Sequence, residues 1–290
     1  MRRHRTTAVL LLLLGLAAAA MLPAPASSRL EGSVPRLVFP LVAKTVLWDN
    51  YGDPRPNGRH AGIDMENPWR APVVAVEDGT IKYWESGLGG CMLYLYGLSG
   101  TTYMYIHLNN DLTAKNDNKG GCMQDVSFAL PNGAKVTAGQ QIAWNGDSGD
   151  ANGNPHLHFE VHPNDGVDVD PFRYLKRSAR PLFPARQGSV FSLALHGQLV
   201  AAGAGAATLE VGRVRKYPGG RWLDVDPREV ELTVPLGTDA QPFAQLAATT
   251  LHPLKKPANV TVFTLKTNAT RAAIVGEPGE LLLGRIAPAP

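Results

Sequence analysis

Apolar and polar residues alternate along much of the chain, a pattern that predicts β-strands rather than helices. In the segment 154–162, polar residues occupy every second position from His156 onward, and Leu157, Phe159 and Val161 fill the gaps. Side chains two positions apart on a strand share a face. The segment therefore predicts a strand with one polar face and one apolar face that enters a core.

The same alternation returns in residues 189–290. The segments ATLEVGRV, REVELTV, NVTVFTL and ELLLGRI are separated there by Gly and Pro residues that favour turns. The Pro- and Arg-containing stretch before this region, residues 181–188, is typical of a linker. We therefore predict a mainly β protein with an antiparallel first domain and a smaller, sandwich-like β domain after the linker.

The first 26 residues have a different character. A basic start is followed by an apolar run from Ala8 to Met21 and then by small residues, which is typical of a secretory signal peptide. The run is short for a membrane span and Pro23 follows it, so an uncleaved anchor is the less favoured alternative. We expect a protein secreted or exported to the periplasm or cell wall, without stable membrane insertion.

Removal of residues 1–26 changes the charge balance. The full sequence has 28 Lys plus Arg and 25 Asp plus Glu, a net charge of +3. Arg2, Arg3 and Arg5 leave with the N-terminal segment, so 25 basic residues remain against 25 acidic ones. Nucleic-acid binding depends on clustered Lys and Arg, and we expect no nucleic-acid partner.

The histidines supply the candidate chemistry, because three of the 8 in the chain lie in the segment 154–162. His60 and Asp64 are four residues apart, and this even spacing places both on one face of an extended segment. His158 would complete a three-ligand zinc site with a fourth position open for water. A solvated strand face and an exposed turn with an incidental histidine are the alternatives. His107 ends another β-rich run, where it is either structural or suited to act without binding metal.

Three separated motifs resemble the M23 family of zinc metallopeptidases, also called lysostaphin-type or LytM-type peptidases. They are HxxxD at residues 60–64, HL at residues 107–108 and HLHFE at residues 156–160. The stretches DNYGDPRPNGRHAGIDM, APVVAVEDGTI and VDPFRYL follow the family's order as well. The resemblance covers residues 49–175, which form the core of a predicted peptidase domain at residues 27–180.

The resemblance implies a site and an activity. It implies one zinc ion bound by His60, Asp64 and His158, with His107 and His156 as the catalytic pair. The implied function is a secreted zinc metalloendopeptidase that hydrolyses peptide bonds in bacterial peptidoglycan, in stem peptides or in cross-bridges. Which histidine takes the proton stays open. The alternative is a non-hydrolytic relative that binds the wall or regulates other wall hydrolases.

The chain has two cysteines, Cys91 in a predicted core strand and Cys122 in a polar loop that is longer than usual for the family. In an exported protein such a pair is expected to form a disulfide, which here would tether the loop. Two buried free thiols are the alternative. We expect the loop to lie beside the substrate groove and to influence specificity.

Several residues near the motifs have roles that the sequence leaves open. Glu160 either supports a ligand histidine through a hydrogen bond or only faces the groove. His162 lies outside the motif and is expected to be solvated. Asn50 and Asn57 precede the site and are candidates for blocking the metal in a latent form.

Overall fold

The computed structural model describes residues 34–56, 58–203, 205–235 and 252–288, without the side chains of residues 252–256 and 288. The predicted signal peptide and Asn57 lie outside the described residues. Within these ranges, no helix is long and apolar enough to cross a membrane.

Short antiparallel strands dominate the first half of the described chain. They are β1 (Pro54–Arg55), β2 (Gly58–Arg59), β3 (Ile63–Glu66), β4 (Pro72–Val74), β5 (Gly79–Ser86), β6 (Gly90–Gly97), β7 (Thr102–Leu108), β8 (Lys135–Val136), β9 (Gln141–Trp144) and β10 (His156–His162). Two 3₁₀ turns, Gly149–Ala151 and Pro163–Asp165, flank β10, and a short helix α1 (Phe172–Leu175) follows.

Six of these strands form one sheet in the order β3–β10–β7–β6–β5–β8. β10 lies between β3 and β7 and is antiparallel to both. In this register His158 pairs with Asp64 on one side and with Ile106 on the other. Three distant parts of the sequence therefore meet at the middle of β10.

The apolar face of β10 packs into the first hydrophobic core, which confirms the strand predicted from the alternation. Leu157, Phe159 and Val161 are fully buried. The ring of Phe159 lies 6.1 Å from that of Tyr103 and 5.2 Å from that of Tyr105, measured between centroids. Because these three apolar side chains fix one face in the core, the polar residues of β10 share the other face.

The second half of the described chain is also β, as predicted. Its strands are β11 (Phe183–Pro184), β12 (Val190–Gly203), β13 (Ala206–Tyr217), β14 (Leu223–Thr233), β15 (His252–Thr264), β16 (Thr267–Asn268), β17 (Ala273–Ile274) and β18 (Leu283–Pro288). The main sheet has the order β14–β13–β12–β15–β18, and β16 pairs with β12. A separate hydrophobic core lies against this sheet and includes Leu193, Leu209 and Val262.

The stretch 181–188 is more ordered than the expected linker. Leu182 is fully buried in the second core, and β11 pairs with β17. Arg228, which is partly buried, donates to the carbonyl groups of Arg180 and Pro181. These residues therefore connect the two β regions through defined contacts, while the proposed domain boundaries themselves stay a prediction.

A disulfide joins Cys91 and Cys122, the pairing expected from the sequence. Cys91 lies near the start of β6 and pairs with Leu108 at the end of β7. The bond thus ties the long polar loop that follows β7 back to the central sheet.

We predict that loss of this disulfide lowers the free energy of unfolding by about 3 to 4 kcal/mol, because a cross-link spanning this length of chain restricts the unfolded state. The measurement is guanidinium unfolding of the oxidised protein, the reduced protein and a Cys91→Ala/Cys122→Ala variant. Reduced protein and variant should agree, and reductant should not affect the variant. An unchanged unfolding midpoint on reduction would contradict the prediction.

Candidate metal centre

Three side-chain atoms from β3, β10 and the segment before β3 form a small triangle. His60 Nε2 lies 3.0 Å from Asp64 Oδ1 and 2.9 Å from His158 Nδ1, and His158 Nδ1 lies 2.9 Å from Asp64 Oδ1. In the described part of the chain, this is the one group of three His, Cys, Asp or Glu side chains found to converge in this way. The structure therefore brings together the three residues that the sequence resemblance implied.

The triangle fits a zinc ion in donor chemistry and in size. Two imidazole nitrogens and one carboxylate oxygen are zinc ligands, with bond lengths of about 2.0 to 2.2 Å. Three atoms about 3 Å apart can all lie at that distance from one cation. Without a proton or cation between them, three lone-pair atoms this close repel each other, so the arrangement favours positive charge at its centre.

His60 is held so that the correct nitrogen faces the triangle. Its Nδ1–H donates to the backbone carbonyl of Asn50 over 2.8 Å, which leaves the lone pair on Nε2. The backbone of His60 is fixed in turn, because its amide donates to Asp53 O and its carbonyl accepts from the amide of Gly52. Orientation of a ligand ring through its second nitrogen is common at metal sites.

The carboxylate of Asp64 is held from its other oxygen. Arg55 Nη2 donates to Asp64 Oδ2 over 2.8 Å, and Asn50 Nδ2 lies 3.3 Å from the same atom. Oδ1 is thereby left for the triangle. Burial favours the neutral acid, but hydrogen bonds with His158 and His60 outweigh it and lower the pKa of Asp64 well below its usual range.

Asn50 supports the site and does not block it in this structure, in contrast to the role considered from the sequence. Its side-chain oxygen accepts from the backbone amide of Asp64 over 3.1 Å, so that oxygen is engaged away from the triangle. Its backbone carbonyl accepts from His60. Asn50 therefore contacts two of the three candidate ligands as an orienting residue.

Glu160 does more than face the groove, which settles the alternative that the sequence left open. Its Oε1 accepts from His158 Nε2 over 2.9 Å, so the neutral ring of His158 carries its lone pair on Nδ1. Burial lowers the pKa of His158, but the hydrogen bonds with Asp64 and Glu160 raise it to about 9. The surroundings of this ring therefore favour positive charge.

Gly62 makes this hydrogen bond possible. A β-carbon at position 62 would lie 2.3 Å from Phe159 O and 2.9 Å from both Glu160 Cγ and His158 Nε2. No side chain fits there without moving the ligand or its partner. The glycine between His60 and Asp64 in the sequence is thus a requirement of the site.

His162 was expected to be solvated, and this expectation is wrong. Its side chain is only 13% exposed, and its Nε2 lies 2.7 Å from Glu160 Oε2. The alternation along β10 contained the signal, because Glu160 lies between two histidines on the same strand face.

The two remaining histidines lie beside the triangle. The ring centroids of His107 and His156 are 4.8 Å apart, and His156 Nε2 lies 3.7 Å from Asp64 Oδ1. The Nδ1–H of His107 donates to Ser148 O and that of His156 to Asn154 O, over 2.9 and 2.8 Å. In their neutral forms, both rings therefore carry the lone pair on Nε2.

His107 has an unusual backbone conformation and environment. Its φ angle is 64°, in the left-handed region that non-glycine residues seldom adopt, and the pairing of β6 with β7 shifts register between Cys91 and Leu93. Burial, with a smaller effect of neighbouring His156, lowers the pKa of His107 to about 4. The ring is therefore neutral near pH 7.

A groove with a volume of about 660 Å³ gives access to all five residues. Leu88, Met92 and Ile106 give it apolar lining. A second cavity of about 410 Å³ shares Asp64 and His156 with it, so the cleft continues past the triangle.

The long loop after β7 contacts a residue that lines this groove, as expected for a loop beside it, and an influence on specificity stays a prediction. Asn118 Nδ2 donates to Asn152 Oδ1, and Asn116 Nδ2 donates to Asp147 Oδ2, over 2.8 and 2.9 Å. Asn152 lines the groove, whereas the loop residues hold the turn that contains it.

Comparison with known proteins gives a consistent assignment for this region. Residues 58–171 match the family model described as Peptidase family M23. The chain is 32% identical over 114 residues to an uncharacterized metalloprotease of Haemophilus influenzae, across 39% of this chain and 20% of that protein. It is 30% identical over 125 residues to the glycyl-glycine endopeptidase ALE-1 of Staphylococcus capitis, across 41% of this chain and 30% of that protein. The matches thus span less than a third of either relative.

Among solved structures, the catalytic domain of lysostaphin from Staphylococcus simulans is similar at 27% sequence identity. The similarity covers 46% of this chain and 92% of that one, with a TM-score of 0.36.

We predict that the purified protein binds one zinc ion per chain and that His60→Ala and His158→Ala abolish tight binding, because each removes one of three donors. The measurement is metal content by mass spectrometry after dialysis. His196→Ala is the matched control, since His196 lies in the second sheet and bonds to Thr261. Equal zinc content in all variants would exclude the triangle as the metal site.

Proposed function

We propose that this protein is a secreted zinc metalloendopeptidase that hydrolyses peptide bonds in bacterial peptidoglycan, because residues 58–171 match the model of peptidase family M23. The proposal rests on one observation above all. Three candidate metal-ligand side chains and two further histidines, drawn from three separate parts of the chain, open onto the same groove.

The donor set supports zinc as the metal, with His60, Asp64 and His158 as its ligands. The chemistry that zinc supplies at such a site is Lewis acidity, which polarises a carbonyl group and acidifies water. The chain contributes orientation: Asn50, Arg55 and Glu160 each restrain a ligand from the side that faces away from the triangle.

His107 and His156 are the proton-transfer groups of this proposal. Each ring is fixed by an Nδ1–H bond to a backbone carbonyl, so its Nε2 is the atom available for proton transfer. A neutral imidazole takes a proton from the attacking water, and a protonated one donates to the oxyanion or to the leaving amine. The two rings share the same neutral tautomer, and which ring takes which role stays open.

The shape of the cleft suits an extended peptide. It runs from the apolar lining at Leu88 and Met92 past Asp64 to the second cavity, where Trp48 is exposed. Burial of a peptide along this cleft would hold a backbone carbonyl beside the triangle. A disulfide in the structure is consistent with the proposed export, because such bonds persist in oxidising compartments.

The alternative function, a non-hydrolytic wall-binding protein or a regulator of other hydrolases, has less support. A regulator would not require the two additional histidines to be oriented toward the ligands. All five side chains converge here, and each has a hydrogen-bonded partner that fixes it.

We predict that the mature protein releases peptide fragments from purified peptidoglycan and that a zinc chelator stops the release. His107→Ala and His156→Ala should each lower kcat about 10²- to 10⁴-fold, because a positioned proton-transfer group is lost. Zinc content should stay near one ion per chain in both variants. Fragments identified by mass spectrometry would also show whether a stem or a cross-bridge bond is cut.

His196→Ala again serves as the control and should keep full turnover. If peptidoglycan remains intact while zinc is bound, the peptidase proposal fails. If both histidine variants keep wild-type kcat, the assigned catalytic pair is wrong.

A further inference from the structure

The polar face of β10 carries a hydrogen-bonded chain that extends beyond the candidate ligands. His158 Nε2 donates to Glu160 Oε1 over 2.9 Å, and His162 Nε2 donates to Glu160 Oε2 over 2.7 Å. His162 Nδ1 donates to Gly166 O over 2.9 Å. The chain therefore begins at the triangle and ends at a backbone carbonyl beyond the end of the strand.

The two hydrogen-bond acceptors that contact the ring of His162 determine its protonation state. A backbone carbonyl and a carboxylate only accept hydrogen bonds, so both ring nitrogens of His162 carry hydrogen in this arrangement. His162 is then an imidazolium paired with the carboxylate of Glu160. Burial lowers the pKa of His162, but the bonds to Glu160 and Gly166 reverse this and raise it above its usual value.

The spacing along the strand explains why Glu160 needs this partner. Residues two positions apart on a strand lie about 6.6 Å apart, so a carboxylate midway between two histidines can give one oxygen to each. The side chain of Glu160 is only 12% exposed, and a buried carboxylate oxygen without a donor is unfavourable. Without His162, Glu160 would lose both a charge partner and the contact that fixes its rotamer.

We propose that His162 is a positioning residue for the metal centre: it holds Glu160 so that Glu160 keeps the ring of His158 directed at the metal. This inference rests on the proposed metal site. His162 contacts Glu160 and Gly166, and it acts on the ligand only through Glu160.

The experiment measures zinc affinity, by competition with a chromogenic chelator, in the full mature protein. His162→Leu removes both donors and should weaken zinc binding, at most by the roughly 10- to 100-fold expected for loss of Glu160, the direct partner of the ligand. His162→Gln keeps an N–H donor of similar reach and should recover part of the loss. His196→Leu removes a histidine from the second sheet and should bind zinc like the wild type.

Absorption spectra of the cobalt-substituted proteins separate positioning from general destabilisation. A changed ligand field in His162→Leu and a near-native one in His162→Gln support the proposal. Unchanged zinc affinity in His162→Leu, or an equal loss in His196→Leu, overturns it. Because zinc is titrated without peptidoglycan, an intact zinc site in a protein that cleaves nothing would contradict the proposed function and leave this inference standing.

Discussion

The site depends on the antiparallel pairing of β3 with β10. This register sets Asp64 directly opposite His158, and the turn before β3 adds His60. Side chains alternate faces along a strand, so a shift of one residue would turn His158 into the core and expose Phe159. The buried rings of Phe159 and Tyr105 therefore fix the register that aligns the donors.

Each metal-ligand side chain is further restrained by a hydrogen bond to a neighbouring group. A backbone carbonyl fixes the tautomer of His60, and the carboxylate of Glu160 fixes that of His158. A guanidinium group holds the oxygen of Asp64 that does not face the triangle. In the neutral rings, these partners direct the free lone pair of each ligand histidine inward, which reduces the reorganisation that metal binding requires.

The strands could be predicted from the sequence, because the alternation of apolar and polar residues indicates which face of a strand is buried. The contact between His60, Asp64 and His158 could be predicted only through the family resemblance, since spacing alone left an incidental turn as an alternative. The supporting roles of Asn50 and Arg55 could not be predicted, because their contacts with Asp64 depend on how the loop before β3 folds back. The pairing of β11 in the stretch 181–188 could not be predicted for a related reason: Pro and Arg suggested a linker, whereas this pairing depends on a strand about 90 residues later.

The position of His107 is fixed by a different set of contacts from those that hold the three metal-ligand side chains. Its acceptor, Ser148 O, belongs to a residue whose hydroxyl accepts from the amide of Cys91 and donates to Leu108 O. A left-handed backbone at a histidine costs on the order of 1 kcal/mol or more and persists only where neighbouring structure enforces it. Cys91 supplies both the amide that holds Ser148 and the sulfur that tethers the long loop. The disulfide, the turn that lines the groove and the strained histidine therefore form one connected unit beside the ligands.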